Sequence, residues 1–302
     1  MLRMDGFTYT RATSYAAAAA AWGPDAMYVA GGTDLLPNLK HRIVRPKRLI
    51  GLDVPGYVRE DGGAWVIGAG TRLCELAEAG IPLLSQAASL VAGPQIRNMG
   101  TLGGNVMLDT RCLYYNQTEF WRKSLGYCLK AEGTWCHVVG GPKTCVASQS
   151  SDTVPVLLAM DASLRFVSAA GERAMKIREL YRYNGMDHLQ IEKGELLAEV
   201  VVPRRAWRGS YQKLRTRDSI DFPQLGVAIA ATESSLDIVI GAASPQPKPI
   251  RGLEAFAGRP LDVAAIADLV HKQTRPQGSV HGDVAWRRQM AAVLTRRGLE
   301  AL

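Results

Sequence analysis

Glycines and cysteines are the residues of this chain whose spacing could do chemistry. One glycine cluster is Gly31-Gly32, within Ala30-Gly-Gly-Thr-Asp-Leu35. A second, Gly100, Gly103 and Gly104, lies within Gln95-Ile-Arg-Asn-Met-Gly-Thr-Leu-Gly-Gly-Asn-Val106. Glycine accepts positive φ and lacks the Cβ that would keep a ligand's phosphates away from main-chain N–H groups. Just downstream, Cys112, Cys128, Cys136 and Cys145 place four of the chain's five cysteines within thirty-four residues. Together the two features read as a nucleotide cofactor and a metal cluster held side by side.

The four cysteines are separated by fifteen, seven and eight intervening residues, which leaves three readings open. Two disulfides are one, although a reducing compartment argues against them. A structural zinc site is another, but it usually brings ligands as close pairs, and none occurs here. An iron–sulfur cluster needs four thiolates around a larger cage and tolerates varied spacing. Arg111, Arg122, Lys123, Lys130 and Lys143 outnumber Glu119 and Glu132 in this segment. That excess is expected to lower thiol pKa values and to offset a cluster's negative charge. His137, beside Cys136, is a candidate substitute ligand, whereas Cys74 reads as a small buried hydrophobe on a helix. No Ser/His/Asp or Cys/His set is spaced for nucleophilic catalysis.

The elements that must position these groups follow from local pattern. Ser14 or Thr13 caps an alanine-rich helix over 13–22, ended by Gly23-Pro24. A short strand over 26–30 feeds the Gly31-Gly32 turn, and a helix over 35–39 follows. A strand, a glycine turn and a helix start leave N–H groups free for phosphate. Neither GxGxxG nor a Walker sequence is present. Strands are expected over 48–53 and 64–70, with Thr71 capping a helix through Ala77 and another helix over 82–92. Ser151-Asp152 caps a helix over 153–160; a strand over 163–167 leads to a turn at Gly171-Glu172. From about 178 the texture changes to strands and turns, with strands over 194–203, 211–217, 225–231 and 236–243. Two helices close the chain, 263–274 and 284–302. The second, with Arg287, Arg288, Arg296 and Arg297, reads as amphipathic with a basic outer face.

With 302 residues, 47% of them hydrophobic, the chain can bury a sizeable core in two domains. It has no run of eighteen apolar residues and no secretory pattern, so no membrane span and a cytoplasmic location are expected. The net charge of +8 is dispersed, without the basic block that nucleic-acid binding would favour. An acidic protein partner would be attracted by the same surface.

Ala30-Gly-Gly-Thr-Asp-Leu35 and Ile96-Arg-Asn-Met-Gly-Thr-Leu-Gly-Gly-Asn105 resemble the paired FAD-binding motifs of the flavoprotein subunits of molybdenum hydroxylases, the xanthine dehydrogenase group. Lys213-Leu-Arg-Thr-Arg-Asp-Ser-Ile-Asp-Phe222 is similar to that family's second-domain motif near the flavin. Gly100 stands where the family motif carries a larger or alanine-like residue. The cysteine insertion resembles one branch of the family, the 4-hydroxybenzoyl-CoA reductase β-type subunits, through Asp109-Thr-Arg-Cys112, Tyr115-Asn-Gln117 and Gly126-Tyr-Cys-Leu-Lys130. The resemblance implies an α+β fold: a two-subdomain, PCMH-like FAD-binding domain over 1–177, then a smaller α+β domain over 178–302. The subdomains would span about 1–55 and 56–177, with an iron–sulfur insertion at 108–150.

The same resemblance implies FAD and a [4Fe–4S] cluster as cofactors. FAD pyrophosphate would lie on Ala30, Gly31, Gly32, Thr33, Asp34 and Leu35, and on Thr101, Leu102, Gly103, Gly104 and Asn105. Asp152 would hold the ribose or a neighbouring group, and Lys213 would sit by the isoalloxazine. Cys112, Cys128, Cys136 and Cys145 would ligate the cluster. The implied function is an electron-transfer subunit of an oxidoreductase. Ferredoxin would be the donor, and a small [2Fe–2S] subunit and a large molybdenum-cofactor subunit the partners, in a dimer of heterotrimers. The flavin subunit of an aldehyde or purine dehydrogenase is the alternative within the class. A zinc-stapled binding module without redox function is the alternative outside it.

Overall fold

The computed structural model describes residues 3–302, arranged around three sheets. The first is a small parallel sheet made of β1 (Thr8–Ala12), β2 (Ala26–Val29) and β3 (Arg48–Leu52), in the order β1-β3-β2. Parallel neighbours need crossovers. The first crossover carries helix α1 (Tyr15–Ala20), whose Ser14 hydroxyl accepts the Ala17 N–H as an N-cap. The second carries α2 (Leu35–Lys40), which starts directly after the Gly31-Gly32 turn.

The second sheet is antiparallel. Strands β4 (Val58–Asp61) and β5 (Ala64–Gly68) begin it. Helices α3 (Leu73–Glu78), α4 (Leu84–Ser89), α5 (Pro94–Arg97), α6 (Leu102–Val106) and α7 (Glu119–Ser124) follow, with the cysteine segment running past α7. Then come α8 (Thr153–Ala159), β6 (Ser163–Ser168), β7 (Gly171–Lys176), α9 (Ile177–Leu180) and β8 (Leu196–Pro203). Their strand order is β4-β5-β8-β6-β7. Strand β8 therefore lies at the centre of this sheet, although it follows residue 178. The second region's sheet extends to Pro203, past the division read from sequence texture, because hydrogen-bond pairing outranks local composition. Gly171 opens β7 instead of forming the turn, which falls at 169–170.

The third sheet orders β9 (Arg208–Leu214), β10 (Leu225–Ala231), β11 (Leu236–Gly241) and β12 (Lys248–Pro249) as β12-β11-β10-β9. Helices α10 (Val263–Gln273) and α11 (Val284–Glu300) cover one face and α8 packs on the other. Strand β10 shows why: all seven of its residues are buried. Leu225, Val227 and Ile229 join the α10–α11 core, while Ala228 and Ala230 join the core around α8. A strand covered on both faces reads as a continuous apolar run. Among the described residues no helix is long and apolar enough to cross a membrane.

The basic face expected of α11 is interrupted at Arg287, which is fully buried. Its guanidinium donates to the carbonyls of Gln224 (2.8 Å), Gln277 (2.7 Å) and Ala242 (2.8 Å), and burial pushes its pKa down to about 10. It ties α11 to the ends of β10 and β11. Replacing Arg287 by Met should orphan three carbonyls and lower unfolding stability by about 3 kcal/mol or more. Urea denaturation of the two proteins, compared at their midpoints, measures it; an unchanged midpoint would mean that water replaces the side chain without penalty.

Candidate functional site

The glycine turn between β2 and α2 is held open by its own geometry. Gly32 adopts φ +70°, and a Cβ on Gly31 would run into the Met99 carbonyl oxygen. The turn is thus pressed against the backbone that opens the second glycine cluster, and a Cβ on Gly100 would sit 3.5 Å from the Thr33 hydroxyl. Gly100 has little room of its own, since that Cβ would lie 3.1 Å from the Ile96 carbonyl oxygen and 3.2 Å from Leu73. Asp34 stands at the N-cap of α2 but does not cap it. Its carboxylate instead accepts from Asn38 Nδ2 (2.9 Å) and Arg111 Nη1 (2.7 Å). Burial raises the Asp34 pKa, and Arg111 opposes that shift. Among the described residues, the N–H groups of Gly31, Gly32, Thr33 and Asp34 find no acceptor within the protein. Unsatisfied main-chain donors on a partly open turn are what a phosphate oxygen needs.

The second cluster is different. Leu102 N–H donates to Thr71 O (2.8 Å), Gly103 N–H to Ala69 O (2.8 Å) and Asn105 N–H to Thr101 O (3.0 Å). Gly104 N–H donates to the Thr101 hydroxyl at 3.1 Å, the N-cap of α6. These four amides are already satisfied within the protein. Gly103 serves packing, because a Cβ there would come within 2.8 Å of the Ala69 Cβ. The Asn105 side-chain Oδ1 accepts from Ser151 Oγ (2.6 Å) and Thr153 Oγ1 (2.7 Å), which fixes α6 to the start of α8.

Asp152 and Lys213, distant in sequence, meet in a buried ion pair of 2.9 Å. Asp152 also accepts from the Tyr211 hydroxyl at 2.9 Å, and Lys213 donates to Leu90 O at 2.9 Å. Burial pushes the carboxyl up and the ammonium down, and each partner opposes the other's shift. Asp152 makes no side-chain cap bond, so it is not a simple helix cap. The pair joins α8 to β9 and thereby the second region to the third. Lys213's side chain is only 2% exposed, so its charge is directed at Asp152.

Cys112, Cys128, Cys136 and Cys145 are all free and buried, and all four line one narrow cavity together with His137 and Lys130. At Cys112 the backbone N–H of Tyr114, and at Cys145 that of Ala147, works against the effect of burial on the thiol. Burial pushes Cys112 up to about 12 and raises Cys145. For these two thiols this reverses the expectation that nearby cations would lower the pKa values. Arg111 is committed to Asp34 and lies over the Phe222 ring, and Arg122 is committed to three backbone carbonyls. Lys130 alone among the basic residues leans on Cys145, while its ammonium is held by Asp109 (2.6 Å) and Thr110. Among the described residues no group of three or more His, Cys, Asp or Glu side chains could hold a metal ion. His137 is turned to Tyr127 O at 2.8 Å. Cys74 lies on α3 as expected, half-buried rather than in the core.

Two features of this site were not singled out from sequence. Arg111 bridges the cysteine segment to the glycine turn through Asp34, with its backbone paired to Ser148. Gly185 closes over Cys145, where a Cβ would lie 2.7 Å from the sulfur, and its carbonyl accepts the Thr110 hydroxyl at 2.6 Å. Gly185 carries no sequence signal, because the segment that contributes it is forty residues from Cys145.

Residues 5–205 match the family described as the FAD binding domain in molybdopterin dehydrogenase. The chain is 32% identical over 273 residues to the aldehyde oxidoreductase FAD-binding subunit PaoB of Escherichia coli (strain K12), covering 83% of this chain and 86% of that one. It is 28% identical to the carbon monoxide dehydrogenase medium chain of Afipia carboxidovorans, over 97% of this chain and 96% of that one. A solved carbon monoxide dehydrogenase from Hydrogenophaga pseudoflava shares the fold, with a TM-score of 0.80, 24% identity, and coverage of 99% of this chain and 98% of that one.

Replacing Gly31 by Ala should force the turn away from Met99 and lower the flavin bound per polypeptide, read from visible absorbance, while circular dichroism stays native. Replacing Lys213 by Met leaves Asp152 buried without its cation and should cost about 3–5 kcal/mol. Combining it with Asp152→Asn should cost less than the sum of the two single changes, a coupling that a double-mutant denaturation cycle measures directly.

Proposed function

The chain belongs to the family of FAD-binding domains of molybdopterin dehydrogenases, and from that membership we propose that it is the flavin and [4Fe–4S] electron-transfer subunit of a 4-hydroxybenzoyl-CoA reductase-type complex. That it is an FAD-binding oxidoreductase subunit of a molybdenum hydroxylase-type complex follows from the family match over 5–205 and the similarity of nearly the whole chain to medium subunits. The observation carrying the finer reading is the set of four buried, free cysteines around one cavity. A single ion would need its donors gathered at about 2.3 Å from one point. A cluster cage accepts thiolates held farther apart. The donor set therefore fits a cluster better than zinc, and the burial that disfavours bare thiolates is offset only when metal replaces the protons.

In this reading the free amides of Gly31 to Asp34 take the FAD pyrophosphate, flanked by Ala30 and Leu35, with Thr101 to Asn105 forming the wall behind them. Asp152 and Lys213 act from beneath, fixing β9 against α8 rather than touching the cofactor by a free charge. Cys112, Cys128, Cys136 and Cys145 hold the cluster, and Gly185 and Thr110 shut water away from Cys145. When bound, the two groups supply electron relay; the chain's residues bind, orient and insulate them. The FAD-binding region carries the insertion at 108–150, and the C-terminal domain begins after the shared strand β8. A large molybdenum-cofactor subunit, a small [2Fe–2S] subunit and a ferredoxin donor complete the assembly, as a dimer of heterotrimers. Removal of the phenolic hydroxyl of the aromatic thioester would then take place on the large subunit.

A second reading is favoured by a specific observation: the relative at 32% identity is a subunit of an aldehyde oxidoreductase. The holo-complex assayed with reduced donor plus 4-hydroxybenzoyl-CoA, and separately with aldehydes plus an acceptor, separates the two. Dehydroxylation supports the reductase; aldehyde oxidation alone rejects it. Anaerobic purification with iron, sulfide and flavin determination tests the cluster. Four iron and four sulfide per flavin are expected for such a cluster, and Gly185→Ala should lower iron while leaving flavin intact. Zinc without iron would end the cluster assignment.

A further inference from the structure

A second cavity, about 400 Å³, lies at the other end of α2 from the glycine turn, where the chain after that helix meets α7 and the turn around 127–132. Four cations line it, Arg42, Arg45, Arg122 and Lys130, against two carboxylates, Glu119 and Glu132. Glu119 is shared between Arg42 (2.8 Å) and Arg45, and Asp5 also lies 3.9 Å from Arg45. Lys130 is answered by Asp109. Arg122 has no carboxylate partner and is 5% exposed. Its Nε and Nη2 donate to the carbonyls of Gln117, His41 and Arg42, while Nη1 has no acceptor among the described residues and reaches the solvent side of the recess. The Nε of Arg42 is buried without a partner.

The backbone around this cavity is strained in the same place. Arg42, Tyr127 and Glu132 adopt φ of +56°, +61° and +68°. Side-chain-bearing residues in that region are held there only by surrounding structure, and such residues collect at ligand sites. Arg122 faces this polar recess without a carboxylate of its own, and the buried Arg42 Nε has no acceptor, so an anion would answer both. Guanidinium groups offer planar paired donors that match a phosphate's oxygens. We propose that this cavity binds the phosphate group of a small phosphorylated ligand, through Arg42, Arg45 and Arg122, as a site separate from the FAD turn. Helix α2, about 9 Å long for its six residues, stands between the two. The assignment does not depend on the cysteines holding a cluster. Tyr115 and Lys130 line both cavities, so an anion here would also be felt at the cysteines.

The test is calorimetric titration of the FAD-saturated full chain, at fixed ionic strength, with inorganic phosphate and with adenosine 5′-monophosphate as a phosphate monoester. One saturable site is expected, weakened about tenfold or more by Arg42→Gln or Arg122→Lys, the worth of a charge-assisted hydrogen bond. Glu119→Gln removes the competing carboxylate and should tighten binding, the opposite of what loss of local structure would do. Tighter binding of the monoester identifies an esterified ligand; equal binding identifies free phosphate. Unsaturable heats, or affinities unmoved by Arg42→Gln and Glu119→Gln alike, overturn the site.

Discussion

The close approach of two backbones is the constraint on which this structure depends. Gly31 lies against the Met99 carbonyl with no space for a Cβ, and this contact joins the parallel sheet to the helices that follow β5. Had the turn carried a side chain, the two regions would part and the four free amides would lose their shared recess. The contact also explains a division of labour between similar glycine clusters. One turn keeps its amides unsatisfied, while the other spends its amides on Thr71, Ala69 and Thr101 to make a rigid wall.

The cysteine segment is built onto this frame by charge. Arg111 reaches Asp34 on the glycine turn, Arg122 gathers carbonyls at the end of α2, and Glu119 bridges Arg42 and Arg45. Each anchor is short in reach and partly or wholly buried, so the segment is docked rather than draped. One consequence is that its cations are spent on architecture. They do little to stabilise bare thiolates, and burial dominates the thiol environment instead. Metal binding by these thiols would have to displace protons that burial holds on Cys112 and Cys145, so it should strengthen as pH rises.

The third region is attached by polar groups in an otherwise apolar interior. Asp152, Tyr211 and Lys213 pin β9 to α8, and Arg287 pins α11 to three carbonyls. Buried polar contacts of this kind add direction that apolar packing lacks, since only one register satisfies them. The double-faced burial of β10 then lets one strand serve two cores.

What the sequence determined by itself was local. The glycine turn after a strand, the Ser14 cap, the helices at 263–273 and 284–300, and the four clustered cysteines were legible because each depends on neighbours within a few residues. The family relationship was legible too, in the two glycine motifs. Only the tertiary structure decided which amides remain free, because satisfaction of a donor depends on acceptors such as Ala69 and Thr71 some thirty residues away. It decided that Asp152 faces Lys213, that Arg287 is interior, that β8 belongs to the second sheet and that Gly185 covers Cys145. Composition reports how many charges and thiols a segment holds. Burial and pairing, which set their chemistry, are properties of distances that exist only once the chain has closed on itself.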